Sequence, residues 1–137
     1  MEQQLRLLLE STDNVLSLLQ HRSHRTVSDG VSDIYDGTIY RNLNGGVLSD
    51  EQNLTVTLNT DGSPVFKSSK TTMWPIQIML NEFPPNERFH LKNIMVAGIW
   101  FGRKEPKMIL FLTPFIQELE KLQTDGFKWK TNCNQAI

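Results

Sequence analysis

The chain has 137 residues, of which 39% are hydrophobic, and its 14 Lys and Arg against 15 Asp and Glu give a net charge of −1. This length predicts one modest globular core, and the apolar runs are too short for the roughly 20 residues of a membrane-spanning helix. Residues 1–60 carry a net charge of −4 and residues 61–137 a net charge of +3. A domain that binds nucleic acid by electrostatics alone is expected to be strongly basic, and this chain does not show that charge balance.

Secretion, disulfide and zinc signatures are missing from the sequence. Charged residues interrupt the leucine-rich start, and no small-residue cleavage site follows it. Cys133 is the single cysteine, and the three histidines have no spacing that completes a zinc site. We therefore expect an intracellular protein, nuclear or cytoplasmic and not secreted.

The first 50 residues are predicted to form an N-terminal helix and a lead-in segment. Leucines and Val15 recur at intervals of three and four between Glu2 and about Gln20, which predicts one amphipathic helix. Residues 26–50 are rich in Ser, Asp, Gly and Asn, with an apolar island at 34–40 that predicts a brief helix.

Three segments with the period of a β-strand follow. Residues 54–59 alternate Leu and Val with Thr and Asn, and residues 74–80 alternate in the same way. Residues 94–101 are nearly all apolar, which predicts a strand buried on both faces. The turns between them are short, so we expect an antiparallel meander.

The last predicted helix begins near Met108 and ends at Asp125-Gly126. Pro114 falls inside it, which predicts a kink or a second helix that begins there. Residues 127–131 are predicted to form a short strand and residues 132–134 a turn. The fold class is therefore α+β.

Asp61 follows the first predicted strand and, by alternation, shares the face of its Thr and Asn side chains. It stands in Thr60-Asp61-Gly62, where an aspartate commonly caps a tight turn through its own side chain. On local evidence, turn formation is the simplest role for this residue.

Five segments in a fixed order add a family resemblance. They are Leu54 to Phe66 with its Thr-Asp-Gly centre, Trp74-Pro75-Ile76, Asn81-Glu82-Phe83-Pro84-Pro85, Gly102-Arg103-Lys104-Glu105-Pro106 and Phe111 to Leu119 with its Leu-Thr-Pro-Phe start. This succession, over about residues 33–131, resembles the conserved block of CACTA-type (En/Spm-like) DNA transposases and their animal relatives.

The resemblance implies the N-terminal part of a catalytic domain with a ribonuclease H-like fold. In this chain that would be a partial domain at 51–137, a three-stranded antiparallel meander followed by a helix, preceded by the amphipathic helix within 1–50. The family's chemistry is cut-and-paste transposition of DNA, with three acidic residues that hold two Mg²⁺ ions. Asp61 matches the first of these acids, both as a catalytic residue and as a metal ligand.

The sequence departs from the family at the other two acids, which are expected beyond the last helix. The available carboxylates are Glu82, Glu87, Glu105, Glu118 and Glu120. Glu82 and Glu87 flank a predicted turn, Glu118 and Glu120 lie on the predicted solvent face of the helix, and none is placed by its element to meet Asp61. One carboxylate cannot hold two Mg²⁺ ions. We therefore expect a transposase fragment that binds Mg²⁺ weakly and has no nuclease or strand-transfer activity alone.

Four basic residues are candidates for contact with nucleic acid. Lys67, Lys70, Arg103 and Lys104 follow or precede predicted strands and could touch DNA phosphates, although solvated loop charge explains them equally well. The aromatic residues Trp74, Trp100 and Phe101 are expected in the core rather than at a base-stacking surface.

A different class of function remains open. The chain could be a non-catalytic, transposon-derived interaction module whose leucine-rich residues 1–22 pair with a partner helix. Loss of self-association of this segment on Leu8→Asp or Leu16→Asp would favour that alternative.

Overall fold

The computed structural model describes residues 1–24, 30–43, 45–66 and 70–130. Its helices are α1 (Glu2–Ser11), α2 (Val15–Leu19), α3 (His21–His24), α4 (Thr38–Leu43), α5 (Pro85–Arg88) and α6 (Met108–Asp125). Its strands are β1 (Val56–Thr60), β2 (Ser63–Pro64), β3 (Thr72–Leu80) and β4 (Met95–Gly102). Single 3₁₀ turns lie at Ile34–Asp36, Val47–Ser49 and Leu91–Asn93.

The predicted α+β class and antiparallel meander are confirmed. Strand β3 is central, with β4 on one side and β1 and β2 on the other. Strand β4 pairs antiparallel with β3 from Thr72 opposite Gly102 to Ile78 opposite Met95, with an irregularity in register after Ile76. Strand β2 was not predicted, because two residues are too few to show alternation. Helix α6 follows the sheet.

The chain divides into two compact units. Unit 1 contains Met1–Thr12, Leu58–Ile78 and Met95–Ile137, and unit 2 contains Asp13–Thr57 and Met79–Ile94. This division follows spatial contacts rather than chain order, so the predicted boundary at residue 50 stays a prediction.

Unit 1 buries apolar side chains from its helices and from β3. Leu9 of α1, Ile76 and Ile78 of β3, and Phe115 of α6 are all buried. The Gln4 side-chain amide donates a hydrogen bond of 2.8 Å to the Val96 carbonyl, which joins α1 to β4. Burial of such side chains is the main favourable contribution to folding.

Unit 2 is organised around two tyrosines. The predicted brief helix at 34–40 takes the form of a 3₁₀ turn followed by α4, and both Tyr35 and Tyr40 are buried. Their rings meet edge to face with centroids 4.8 Å apart, a favoured aromatic geometry. Leu48 joins them in one apolar cluster.

The predicted single N-terminal helix is wrong, because the helix is broken after Ser11. Asn14 has a left-handed backbone with φ of 54°, and the Thr12 hydroxyl donates to the Leu8 carbonyl at 2.6 Å. Ser, Thr, Asp and Asn side chains compete for backbone groups in this way and end helices. The leucine-rich face of α1 is internal, since Leu5, Leu8 and Leu9 are buried.

The helix predicted from Met108 to Asp125-Gly126 is confirmed, and the strand predicted at 127–131 needs correction. Helix α6 runs through Pro114 without a second helix starting there, with Phe115 buried as its anchor. Glu118, predicted on the solvent face of the helix, has a side chain that is 42% exposed and accepts a hydrogen bond from the Met1 amine. Residues 127–130 form no strand.

Some predictions concern residues outside the part of the chain that the structure describes. Thr131, the predicted turn at 132–134 and Cys133 lie outside the described residues. Within the residues that are described, no helix is both long and apolar enough to span a bilayer.

Candidate active site at the end of strand β1

Asp61 directly follows β1, as the alternation of residues 54–59 predicts. Its side chain is exposed, and its Oδ1 accepts a hydrogen bond of 2.7 Å from the Gly62 backbone N–H. This bond ties the carboxylate to the backbone of the next residue, inside the predicted turn. It orients the carboxylate at the sheet end without burying it, so the geometry serves the turn and leaves the group accessible.

The turn that carries Asp61 packs on an indole ring. A Cβ atom added to Gly62 would lie 2.5 Å from Trp74 Cε2 and Cζ2, which is closer than real Cβ contacts come. Glycine is therefore required here by close approach. Next to this contact, the Thr60 hydroxyl and the Trp74 Nε1 are buried without a hydrogen-bond partner among the described residues.

The strand register places the basic candidates at the same sheet end as Asp61. Ser63 pairs with Met73, and Met73 pairs with Phe101 on its other side. Arg103 and Lys104 follow β4 at this end, and both are exposed. The Asp61 turn and the 103–104 loop therefore occupy one edge of the sheet.

Lys70 and Lys67 are the other two basic candidates. Lys70 is exposed and lies two residues before β3 begins, which is also this end of the sheet. Lys67 lies outside the described residues.

The described residues do not fit a two-metal centre. Across them, no three or more His, Cys, Asp or Glu side chains come together as metal ligands. Proteins hold each Mg²⁺ through one or two carboxylates, often together with substrate phosphates, so a two-metal centre needs several acidic side chains. Glu105, in the loop after β4, is a second acid at this edge, and Glu82, Glu87, Glu118 and Glu120 do not complete a ligand set with Asp61.

Sequence reasoning missed a second polar cluster, which lies in unit 2 and centres on Glu82. Glu82 is completely buried. Its Oε1 accepts hydrogen bonds from the Thr55 backbone N–H at 2.9 Å and the Thr55 hydroxyl at 2.8 Å, and Arg22 Nη1 lies 3.7 Å away. Burial raises the pKa of the Glu82 carboxyl, while the bonds from Thr55 oppose that rise.

A buried ion pair lies in the same unit. Arg88 donates to Asp33 through both terminal nitrogens, at 2.6 and 2.9 Å, in the bidentate geometry that suits a carboxylate. It also donates to the backbone carbonyls of Asn81 and Phe83, at 2.6 and 3.1 Å. These contacts satisfy Arg88 internally, so the cluster holds the fold of the unit and offers no free group for chemistry.

Unit 2 also contains an apolar cavity of about 830 Å³. Ile34, Ile39 and Leu43 supply apolar walls, and Thr55 and Asn81 supply polar atoms. Thr55 is engaged with Glu82, as described above. The cavity therefore has few free polar groups that could fix a ligand.

Comparison with known proteins identifies the family. The model of a family described as "Transposase family tnp2" matches residues 34–136, about three quarters of the chain. No curated protein and no solved structure matches the chain. Asp61, Lys70, Arg103 and Lys104 all fall within the matched region. The chain belongs to the tnp2 family of transposases.

Proposed function

We propose that this chain provides the part of a CACTA-type transposase catalytic domain that carries the first acid, Asp61. The observation that carries the proposal is the position of Asp61 at the end of β1, on the same sheet edge as Arg103 and Lys104. The order of strands followed by α6 agrees with the opening half of a ribonuclease H-like domain. Family membership adds DNA as the substrate class.

In such a domain, two divalent metals held by three acids activate the attacking oxygen and stabilise the leaving oxygen of a phosphoryl transfer. Asp61 would serve as one ligand, and the Gly62 N–H would orient it. Since the described residues bring together no group of three or more metal ligands, the chain alone is proposed to lack nuclease and strand-transfer activity. Lys70, Arg103 and Lys104, with Lys67, would contact DNA phosphates and position the backbone.

The protein-interaction alternative has less support. It requires the leucine-rich face of residues 1–22 to be available, whereas Leu5, Leu8 and Leu9 are buried within unit 1. A role on DNA also favours the nucleus over the cytoplasm.

Binding of a labelled duplex to the full chain tests the DNA role. Affinity should fall as salt is raised, and the double variant Arg103→Gln/Lys104→Gln should lower the slope of log affinity against log salt by about two. The matched control is Lys121→Gln/Lys128→Gln, which removes two exposed lysines elsewhere. Equal slopes for the two double variants would contradict the phosphate contacts.

Incubation of the chain with supercoiled plasmid and Mg²⁺ tests the proposed inactivity. We expect no nicking. Mg²⁺-dependent nicking that disappears in Asp61→Ala would overturn the proposed inactivity and establish Asp61 as catalytic.

A further inference from the structure

Strand β4 exposes large apolar side chains that its sequence predicts to be buried. Phe101 is 64% exposed and Ile99 is 58% exposed. The strand is apolar enough for burial on both faces, yet no described element covers these two side chains. Contiguous apolar patches, unlike single exposed apolar side chains, commonly mark interaction sites on a protein surface.

Register places these side chains on one face with two residues of β3. Met73 is opposite Phe101 and Pro75 is opposite Ile99, and cross-strand partners project from the same face. We call Met73, Pro75, Ile99 and Phe101 the open face. Met73 is 36% exposed and Pro75 is partly exposed, so the open face is an accessible apolar surface with the Phe101 ring next to the end of β4.

A basic loop adjoins the open face and is held in place. Arg103 and Lys104 follow Phe101 by two and three residues, and neither forms an ion pair with any described residue. The Trp100 indole N–H donates to the Lys104 carbonyl at 3.2 Å, which fixes the loop backbone against β4. An exposed aromatic beside fixed cations is the combination that binds single-stranded nucleic acid.

The charges at this sheet end are complementary to phosphate but not strongly so. Loop residues 103–107 carry three basic side chains and one acidic one, Lys70 adds a positive charge, and Asp61 removes one. The resulting excess of two positive charges attracts DNA only modestly. Most of the binding free energy would then have to come from contact with the apolar face.

We propose that the open face binds unpaired DNA bases, with Phe101 stacking on a base and Arg103 and Lys104 holding the adjacent phosphates. The inference rests on the proposed function and specifies the form of DNA that this edge receives. Only an unpaired base presents its flat face, because base faces in a duplex are buried in the stack. The apolar surface therefore favours single-stranded DNA, whereas the basic loop can contact the phosphates of both single-stranded and duplex DNA.

The test measures fluorescence anisotropy of the full chain with a 5′-labelled dT12 and with a 12-base-pair duplex. We expect Phe101→Ala to weaken dT12 binding about tenfold and to leave duplex binding nearly unchanged. Phe101→Tyr should retain the affinity, while Phe101→Leu should not, because it keeps the apolar character but loses the ring. The matched control is Phe89→Ala, since Phe89 is 62% exposed but lies in unit 2.

Two outcomes would overturn the inference. Binding of dT12 that is equally strong in Phe101→Ala and wild type would exclude stacking at this residue. A wild-type dimer that Phe101→Ala dissociates, with dT12 affinity unchanged, would assign the open face to a second copy instead. Either result leaves the duplex measurements with Arg103 and Lys104 untouched, so failure here is distinct from failure of the proposed function.

Discussion

The Glu82 carboxylate holds Thr55 by two hydrogen bonds, from the backbone N–H at 2.9 Å and from the hydroxyl at 2.8 Å. Residue 55 immediately precedes β1 and residue 82 follows β3 by two positions. The Asn81 N–H also donates to the Thr55 carbonyl at 3.0 Å. Thr55 is thus bound on both of its backbone groups, which fixes the chain where β1 begins.

Replacement of Glu82 by glutamine should change how stability depends on pH. Burial raises the pKa of this carboxyl above its ordinary value of 4.5, so the folded chain holds the proton more tightly than the unfolded chain. The contribution of Glu82 to the free energy of unfolding is therefore fully present below pH 4.5 and is lost as pH rises through the folded-state pKa. Glutamine cannot ionise and has no such loss.

Urea denaturation at pH 4 and pH 7 measures this effect. The free energy of unfolding of wild type relative to Glu82→Gln should be lower at pH 7 than at pH 4. Glu120→Gln, at an exposed position on α6, is the control and should show the same difference at both pH values. A wild type that gains stability over Glu82→Gln as pH rises would contradict the prediction.

Loss of Arg88 should destabilise the chain strongly. Arg88→Ala leaves the Asp33 carboxylate buried without its bidentate partner, and breaking a buried pair in this way costs about 3–5 kcal/mol. Arg88→Lys should restore only part of the stability, because an ammonium group cannot bond both Asp33 oxygens and the Phe83 carbonyl in the same geometry.

The measurement for Arg88 is the free energy of unfolding from chemical denaturation. Arg41→Ala, which removes an exposed arginine from α4, is the control and should have little effect. If Arg88→Ala and Arg41→Ala unfolded at the same denaturant concentration, the pair would not stabilise the fold.

Alanine at Gly62 should also destabilise the chain, through a collision rather than a lost bond. The new Cβ would meet the Trp74 ring at 2.5 Å, and overpacking of this kind costs about 1–3 kcal/mol. Gly45→Ala is the control, since nothing lies within 4 Å of its Cβ position. Trp74→Phe replaces the indole by a smaller phenyl ring, so in that background Gly62→Ala should lower the free energy of unfolding by less. Additive effects of Gly62→Ala and Trp74→Phe on unfolding would argue against the contact.

The strands and the position of Asp61 were predictable because both depend on local alternation. The alternation of residues 54–59 and of residues 74–80 indicates which side chains share a face of each strand. The turn at Gly62 marks the end of the first strand. The exposure of Phe101 was not predictable, since an apolar strand looks the same in sequence whether or not another layer covers it. What covers a strand depends on the whole fold.

The sequence contains a signal for the burial of Glu82, but a neighbouring turn signal opposes it. Ile76, Ile78 and Leu80 are buried, and the same alternation continues to residue 82, yet Pro84-Pro85 favoured a turn. A buried carboxylate needs partners to satisfy it, and Thr55 lies 27 residues away. The pairing of Arg88 with Asp33 spans 55 residues, so no local pattern could have predicted it.

Replacement of Asp61 by asparagine separates its role in the turn from a role at a DNA site. Asparagine can still accept the Gly62 N–H, so thermal unfolding should be unchanged. Removing a negative charge from the edge that holds Arg103 and Lys104 should strengthen duplex binding severalfold at 50 mM salt, and screening should shrink that gain at 300 mM. Asp125→Asn, at an exposed acid at the end of α6, is the control for net charge. Equal gains in duplex affinity from Asp61→Asn and Asp125→Asn would show that Asp61 is not beside the bound DNA. A lowered melting temperature in Asp61→Asn would show that the carboxylate itself stabilises the turn.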